Sequence, residues 1–185
     1  AKAKKIINYK VLENLSSKTN LKIDFGGGLK SNNDLKIAFE SGADQITGGS
    51  IALTNPELFK TWIDNYGQDK IILGADVKNE NIAINAWDKI SENKVEPFIN
   101  NYLKHGIKYV ICTDNDRDGM LNGPSFKLYE KIIKKNKVIK LIASGGVSKI
   151  SDLPILSMLG CEGVIIGKAI YENKVSLKDL SNFNF

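Results

Sequence analysis

Histidine and cysteine are scarce in this sequence of 185 residues, which contains one His and two Cys. Cys112 and Cys161 each lie in or beside an apolar run, and neither belongs to a CxxC pair. A structural zinc site takes about four Cys or His ligands, so these counts argue against one, and we expect no metal. Buried free thiols are typical of a reducing compartment, which predicts a cytoplasmic protein.

The sequence also lacks a long apolar run and a concentrated block of positive charge. No segment approaches the roughly 20 apolar residues that span a bilayer. Lys and Arg number 26 against 21 Asp and Glu, but the basic residues are scattered through the predicted helices. A nucleic-acid-binding protein collects its positive charge on one face. We therefore expect neither membrane nor nucleic acid as a partner, and the net charge of +5 weakly favours an anionic small molecule.

Short apolar runs alternate with helical patterns along the chain. The predicted strands are Leu21–Phe25, Asp44–Thr47, Lys70–Asp76, Ile107–Thr113, Val138–Ser144 and Glu162–Ile166. The predicted helices lie near Asn8–Ser17, Asn32–Ser41, Pro56–Tyr66, Val95–Lys104, Ser125–Lys135 and Ser151–Leu159, with one more at the C-terminal end of the sequence. Apolar strands in strict alternation with helices are typical of a parallel sheet covered by helices, so the predicted fold class is α/β. The segment NENIAINAW interrupts this alternation and predicts a small hairpin or loop.

Two glycine-rich segments, Leu21–Ser50 and Lys140–Ala169, resemble each other. A shift of 118 residues places Asp34 on Asp152 without a gap. The same shift pairs Gly27 with Gly145, Gly28 with Gly146, Leu35 with Leu153, Gly42 with Gly160 and Gly49 with Gly167. This agreement indicates an internal duplication of two βα units, and chance agreement of common glycines is the alternative.

A duplication over this distance exceeds the period of solenoid repeats, which is roughly 20–50 residues. It fits a (β/α)8 TIM barrel made of two halves. If the glycines mark units three, four, seven and eight, strands three to eight are present and the first two βα units are absent from residues 1–185. We therefore predict a single incomplete TIM-barrel domain over residues 1–185, with two open sheet edges that favour instability or oligomers.

The glycine pairs stand where predicted strands end and the next helices begin. A strand end without Cβ atoms lets the backbone approach a ligand, and a helix N-terminus favours an anion. In this fold the loops after strands seven and eight frequently bind phosphate. Two such pairs of loops predict a substrate with a phosphate at each end, and glycines that only make tight turns are the alternative. The residues concerned are Gly27, Gly28, Gly49, Ser50, Ser144, Gly145, Gly146, Gly167 and Lys168.

Carboxylates are predicted at the same ends of the strands. Asp76 ends the run KIILGAD, Thr113 and Asp114 end YVICTD, and Asp118 follows in the next loop. Catalytic groups of TIM-barrel enzymes lie at these ends, and an apolar mouth raises the pKa of a carboxyl toward the range of a general acid. A role in capping the loop is the alternative for Asp76.

Three further features have competing interpretations. The acidic loop 114–118 suggests a cation site, but Arg117 within it makes a salt-bridged loop at least as good an interpretation. Trp87 follows a short β-like run, and it either stacks on a planar ligand or covers the core. His105 precedes a glycine at a helix end, where an imidazole caps carbonyl groups, so we assign it no catalytic role.

The segments IDFGGGLKS, ITGGS, ILGADVKN, AINAW, VICTDNDRDGM, LIASGGVS and GVIIGKAIYE together resemble one enzyme family of histidine biosynthesis. That family is phosphoribosylformimino-aminoimidazole carboxamide ribotide isomerase (HisA). The resemblance implies a TIM barrel, monomeric in its full-length form, that converts an aldose to a ketose by an Amadori rearrangement without a cofactor. It implies Asp76 as general acid, assistance from Thr113 and Asp118, and stacking of Trp87 on a substrate whose two phosphates the glycine loops bind.

The sequence departs from that family's pattern in three places. The family's general base ends its first strand, and the position one repeat before Asp76 precedes residue 1, so we expect the base to be missing and these residues alone to be inactive. Ala86 replaces a usual Gly, and Asn115-Asp116 replaces a usual apolar-polar pair. Two alternatives remain: the cyclase subunit of imidazole glycerol phosphate synthase, which shares the DRDG loop of Asp116–Gly119, and a non-catalytic phosphate-binding protein.

Overall fold

The computed structural model describes residues 6–84 and 89–183, which form strands and helices in alternation. The strands are β1 (Asp24–Gly26), β2 (Gln45–Gly48), β3 (Ile71–Lys78), β4 (Asn81–Ile84), β5 (Lys89–Lys94), β6 (Tyr109–Asp114), β7 (Lys140–Ser144) and β8 (Gly163–Ile165). The helices are α1 (Tyr9–Lys18), α2 (Asn32–Glu40), α3 (Ser50–Thr54), α4 (Pro56–Tyr66), α5 (Val95–Lys104), α6 (Phe126–Lys135), α7 (Asp152–Met158), α8 (Lys168–Tyr171) and α9 (Leu177–Ser181).

Six parallel strands form the order β1-β2-β3-β6-β7-β8, which confirms the α/β class. The long strands β3 and β6 lie at its centre, in a register that runs from Ile72 opposite Tyr109 to Val77 opposite Asp114. Strand β4 pairs antiparallel with the end of β3, with Ile82 opposite Val77, and β5 pairs antiparallel with β4. The predicted hairpin after the third strand is thereby confirmed in the described part of NENIAINAW.

The helices cover one face of the parallel strands. Ile46, Leu73 and Leu141 are fully buried on this face, in one apolar cluster with Trp62 of α4 and Ile132 of α6. Fully burying one such side chain stabilises the fold by roughly 1.5–3 kcal/mol. Neighbouring residues of a strand point to opposite faces of the sheet. The strand residues that alternate with these buried ones therefore point away from the helices, and we call their side of the sheet the inner face.

Two short helices were not predicted. Helix α3 directly follows the glycines that end β2, and α8 follows Gly167 beyond β8. Each is five residues or fewer in length, which is too short to show a helical period in the sequence. The predicted strands are all present, but β1 and β8 contain only three residues each.

The 118-residue shift also relates the two glycine-rich segments in the folded chain. Asp24 lies opposite Gln45 in the β1–β2 pair, and Ile142 lies opposite Gly163 in the β7–β8 pair. These are the residues that the shift predicts. The two strand pairs therefore have the same register, which favours duplication over chance agreement of glycines.

The turns between these strand pairs repeat the same hydrogen bonds. The Asp44 amide donates to the carbonyl of Ile23 at 2.9 Å, and the Glu162 amide donates to that of Leu141 at 2.7 Å. Gly42 and Gly160, which precede these turns, have φ of 99° and 91°. A residue with a Cβ is strained in this left-handed conformation, which explains why both positions are glycine.

The strand order is consistent with part of a TIM barrel. Strands β1 and β8 end the order, and within residues 6–84 and 89–183 no pairing joins them. The prediction that the first two βα units are missing is not confirmed. It follows from the eight strands that are typical of a TIM barrel, and no strand of the structure tests it. Among the helices of the described residues, none has both the length and the apolar composition needed to cross a bilayer.

Candidate active site

Apart from Trp87, the residues predicted for the site lie at the carboxyl ends of the parallel strands or in the loops that follow, at one edge of the sheet. We call the loops after β1 and β2 (residues 26–28 and 48–50) the first cradle. The loops after β7 and β8 (residues 144–146 and 166–168) are the second cradle. Strands β3 and β6 lie between the cradles in the strand order, so Asp76 and Thr113 stand between the two.

The second cradle requires glycine at two successive positions. Gly145 and Gly146 have φ of 97° and 86°, in the left-handed region. A Cβ on Gly145 would lie 2.8 Å from the carbonyl oxygen of Asp114, and one on Gly146 would overlap the carbonyl of Gly123. The Gly123 amide in turn donates to the carbonyl of Gly146 at 2.9 Å. The loop after β7 is therefore packed backbone to backbone against the loop after β6.

A cavity of about 210 Å³ opens at the second cradle. It is lined by Asp118, Gly119, Leu121, Ser144, Gly145, Gly146, Val147, Ile165, Gly167 and Lys168. Nζ of Lys168 donates to the carbonyl of Gly119 at 2.8 Å and lies 3.5 Å from the Glu172 carboxylate. The cavity thus brings Asp118 together with all the residues predicted for this phosphate site. The ammonium group of Lys168 supplies positive charge for an anion.

The first cradle has the same backbone conformation as the second. Gly27 and Gly28 have φ of 91° and 83°, close to the values at the second cradle. Gly49 has φ −95° and ψ −96°, and its counterpart Gly167 has φ −109° and ψ −93°. Both glycine loops therefore turn in the same way into the helices that follow them.

An aspartate in the first turn of the next helix closes each glycine loop. In the first cradle, Oδ2 of Asp34 accepts a hydrogen bond from the Lys30 amide at 2.9 Å. In the second, Oδ2 of Asp152 accepts one from the Ser148 amide at 2.9 Å. A carboxylate at a helix N-terminus is also stabilised by the helix dipole. The pair that defined the sequence shift therefore has the same structural role in both halves.

Asp76 and Thr113 lie side by side on β3 and β6, where they pair in register. Their neighbours Ala75 and Cys112 belong to the core on the helix side, so both polar residues point to the inner face. Burial raises the pKa of the Cys112 thiol, and the Asp114 and Asp76 carboxylates raise it further. A thiol that stays protonated is inert, which assigns Cys112 to the core rather than to the chemistry.

The acidic loop after β6 is held by hydrogen bonds and one ion pair. The Asp114 carboxylate accepts from the Ser125 hydroxyl and from the Asp116 amide. The Asp116 carboxylate lies 3.6 Å from Nζ of Lys78. Within the described stretches of the chain, no group of three or more His, Cys, Asp and Glu side chains is arranged to hold a metal ion. The loop therefore matches the salt-bridged interpretation, with a lysine of β3 as the partner.

Arg117 stabilises the same loop through carbonyl groups. Its guanidinium donates to the carbonyls of Asn122 and Gly123 at 3.1 and 3.0 Å. Asn115, one of the departures from the family pattern, has both side-chain amide atoms buried without a hydrogen-bond partner among the described residues. Burying such a group without partners costs roughly 1–3 kcal/mol, so this position weakens the loop.

Two other residues singled out in the sequence are Trp87 and His105. Trp87 lies outside the described residues, as does Ala86. Nδ1 of His105 lies 2.7 Å from the carbonyl of Asn101 at the end of α5, which is the capping geometry expected for it.

One polar pair at this edge was not predicted. Oδ2 of Asp24 accepts a hydrogen bond from the Thr47 hydroxyl at 2.6 Å. Asp24 as a whole residue is exposed at the sheet edge, but partial burial of its carboxyl group raises the pKa, and the Thr47 hydrogen bond lowers it. A position-by-position comparison of the two halves reveals the pair, since Ile142 and Ile165 stand at the equivalent positions.

Six parallel strands in this order, with glycine loops and carboxylates at their carboxyl ends, define an α/β protein with a TIM-barrel-like fold. Residues 1–176 match the family described as "Histidine biosynthesis protein", and the chain belongs to this family.

Three curated relatives share one name, 1-(5-phosphoribosyl)-5-((5-phosphoribosylamino)methylideneamino) imidazole-4-carboxamide isomerase. The protein of Flavobacterium psychrophilum is 65% identical over 183 residues, which cover 99% of this chain and 76% of the relative. That of Flavobacterium johnsoniae is 60% identical with the same coverage of both chains. That of Azobacteroides pseudotrichonymphae is 55% identical, again over 99% of this chain and 76% of the relative. These matches confirm the resemblance to the isomerase family.

The matches do not support three of the finer predictions. These are the absence of two βα units, the absence of the general base, and the inactivity of these residues alone. The chain aligns over 99% of its own length with an isomerase, and the alignment covers 76% of that relative.

Proposed function

We propose that this protein is an isomerase that converts an aldose to a ketose by an Amadori rearrangement in histidine biosynthesis. Its substrate would be a phosphoribosylamino imidazole carboxamide with two phosphates. The proposal is supported chiefly by two glycine cradles of equal register on either side of Asp76 and Thr113. A linear molecule with a phosphate at each end matches two anion sites at one edge of the sheet.

The cradles bind and orient this substrate. Backbone amides of Gly27, Gly28, Gly145 and Gly146 would donate hydrogen bonds to a phosphate at each cradle, and Lys168 adds an ammonium group at the second cradle. Holding both ends fixes the sugar against the strand ends, so orientation supplies part of the rate. Ser50 and Ser144 would contribute hydroxyl or backbone donors at the two cradles.

Asp76 acts as the general acid in this scheme. An aldose–ketose shift needs a proton delivered to the ring oxygen and a proton removed from C2. One carbon of the sugar is reduced as its neighbour is oxidised, so the substrate exchanges no electrons with another molecule and the reaction needs no redox cofactor. Thr113 hydrogen-bonds beside the acid, Asp118 assists from the second cradle, and Trp87 stacks on the imidazole. Cys112 and Cys161 are free thiols, as suits a cytoplasmic enzyme.

We further propose that the general base is not among these 185 residues. The shift that relates Asp34 to Asp152 puts the counterpart of Asp76 before residue 1. The test is isomerisation of the aminoaldose by the 185-residue polypeptide, alone and mixed with the part of the Flavobacterium psychrophilum relative that the alignment leaves out. Turnover by the polypeptide alone would contradict this part of the proposal.

The role of Asp76 is tested in whichever of these preparations turns over. Asp76→Asn should lower kcat at least a hundredfold, in line with the loss of general acid catalysis, and leave substrate binding within a few fold. Asp64→Asn, on the exposed side of α4, is the matched control. Turnover that survives Asp76→Asn would exclude Asp76 as the acid. Binding of the bis-phosphate without turnover in any preparation would favour a non-catalytic binding protein.

The cyclase subunit of imidazole glycerol phosphate synthase is the second candidate. The observation that favours it is the DRDG loop of Asp116–Gly119, whose Asp118 lines the second cradle. Cyclisation with ammonia, measured beside isomerisation on the same preparations, separates the two activities.

A further inference from the structure

The two cradles share their backbone but differ in several side chains on the inner face, and one hydrogen-bonded polar pair is present in the first cradle alone. The first cradle has Asp24 and Thr47, and the 118-residue shift puts Ile142 and Ile165 at these positions. The positions are equivalent in space as well, because the β1–β2 and β7–β8 pairs have the same register. A carboxyl joined to a hydroxyl therefore stands beside one cradle, and two apolar side chains stand beside the other.

Asp24 shares its face of the sheet with the candidate general acid. Oδ2 of Asp24 lies 2.6 Å from Oγ1 of Thr47 on the neighbouring strand. A Cβ on Gly74 would lie 3.1 Å from Cγ2 of Thr47, so β2 and β3 meet there on the inner face. Asp76 follows Gly74 by two residues and points to the same face. The inner face thus carries polar groups from the first cradle to the centre of the site.

A carboxylate beside a phosphate site selects for what else the ligand carries. It accepts up to about four hydrogen bonds and donates none, and Thr47 provides one of them. Two neighbouring hydroxyls of a sugar fit the remaining capacity, as acidic residues bind ribose hydroxyls in dinucleotide-binding folds. A bare phosphate gains nothing from a second negative charge. Ile142 and Ile165 offer a sugar no acceptor.

We propose that Asp24, positioned by Thr47, binds the sugar hydroxyls next to the phosphate in the first cradle. The contact would fix which end of a bis-phosphate lies in which cradle. The identity of the full substrate rests on the proposed function, whereas the sugar contact follows from the first cradle alone. Two cradles with the same backbone bind two phosphate ends alike, so orientation must come from a difference between their side chains.

Thr47 has a defined part in this arrangement. Its hydroxyl donates to the carboxylate and lowers the pKa of Asp24, against the rise that burial causes. The hydrogen bond also holds the carboxylate in one orientation across β1 and β2. Thr47 is therefore a positioning residue, and Asp24 is the group that touches the sugar.

The test is an NMR titration of the 185-residue polypeptide with D-ribose 5-phosphate and, separately, with inorganic phosphate. The amides of Gly27 and Gly28 report the first cradle, and those of Gly145 and Gly146 report the second. Asp24→Ile, which copies the second cradle, should weaken binding of ribose 5-phosphate at the first cradle about tenfold, as expected for a lost hydrogen-bonded charge. Inorganic phosphate should bind unchanged or more tightly, and the second cradle should not respond.

Two further variants keep the result interpretable. Asp24→Asn preserves the shape of the side chain and should weaken the sugar phosphate by a few fold without loss of amide dispersion. Ile142→Val, at the equivalent position of the second cradle, should change neither ligand. Equal weakening of ribose 5-phosphate and phosphate would overturn the proposal, as would a wild-type response confined to the second cradle. No turnover is measured, so failure of the isomerase proposal leaves this result readable.

Discussion

The first and second cradles have the same backbone and different surroundings. Gly49 and Gly167 agree within 15° in both φ and ψ, and the strand pairs before them share one register. The second cradle is packed against the loop after β6, carries Lys168 and encloses a cavity. At the first cradle Ser50 replaces that lysine, and Asp24 replaces an isoleucine. In the function proposed above, the duplicated backbone binds an anion at each cradle, and the substituted side chains select what that anion is attached to.

A substitution that disrupts the packing of the second cradle should have the largest effect. Gly146→Ala places a Cβ on the carbonyl of Gly123 at a φ of 86°, so overpacking adds to backbone strain. We expect a loss of about 3 kcal/mol in the free energy of unfolding, measured by urea denaturation. Gly106→Ala is the control, because Gly106 has a φ of 88° with open space around it, and it should cost only about 1 kcal/mol. Equal losses in the two variants would show that the loops are not packed as described.

The charge at the second cradle is the next largest difference. Lys168→Met removes the ammonium group from the cavity rim and should weaken phosphate binding at Gly145 and Gly146 about tenfold. Ser50→Ala at the equivalent position should weaken binding at the first cradle by no more than a few fold. The measurement is the same amide titration with inorganic phosphate. A larger effect of Ser50→Ala would reverse the assignment of the more strongly charged cradle.

The loop that covers the second cradle contains a correctable defect. Asn115→Ile replaces a buried amide that has no hydrogen-bond partner in the described part of the chain. We expect the free energy of unfolding to rise by about 1 kcal/mol in urea denaturation, because the desolvation cost disappears. Asn14→Ile, at an exposed position of α1, should leave stability within about 0.5 kcal/mol. A loss of stability in Asn115→Ile would mean that the amide is satisfied in solution.

The smallest expected effect is a change in the pKa of Asp24 at the first cradle. Burial raises the pKa of Asp24 above 3.8, and the Thr47 hydroxyl lowers it, so Thr47→Val should raise it further. A raised folded-state pKa contributes stability that is present below the unfolded value and lost as pH rises through the folded value. A pH titration followed by NMR of the carboxyl carbon measures the shift in the Asp24 pKa. Thr61→Val is the control, since the Thr61 hydroxyl donates to the Glu57 carbonyl within α4. An unchanged or lowered Asp24 pKa in Thr47→Val would break the pairing.

The sequence was most informative where the two halves agree. Identical glycines at one shift predicted the cradles, and apolar runs predicted all six parallel strands. It was least informative where the halves differ, because a repeat is recognised by its identical residues, and Asp24 and Thr47 are replaced by isoleucine in the second half. Arg117 shows a second limit. The sequence places its guanidinium among aspartates and suggests salt bridges, whereas in the structure it donates to backbone carbonyl groups. Short helices such as α3 escape prediction because their few residues complete little more than one turn.

The common register of β1–β2 and β7–β8 makes the two segments interchangeable as building blocks. Residues 23–52 and 141–170 begin and end at equivalent hydrogen bonds, so we expect a chimera that carries either segment twice to keep the register of its strands. Such a symmetric variant would erase the inherited divergence of the two copies. It offers a laboratory route back to the ancestor of the pair, before either copy had specialised.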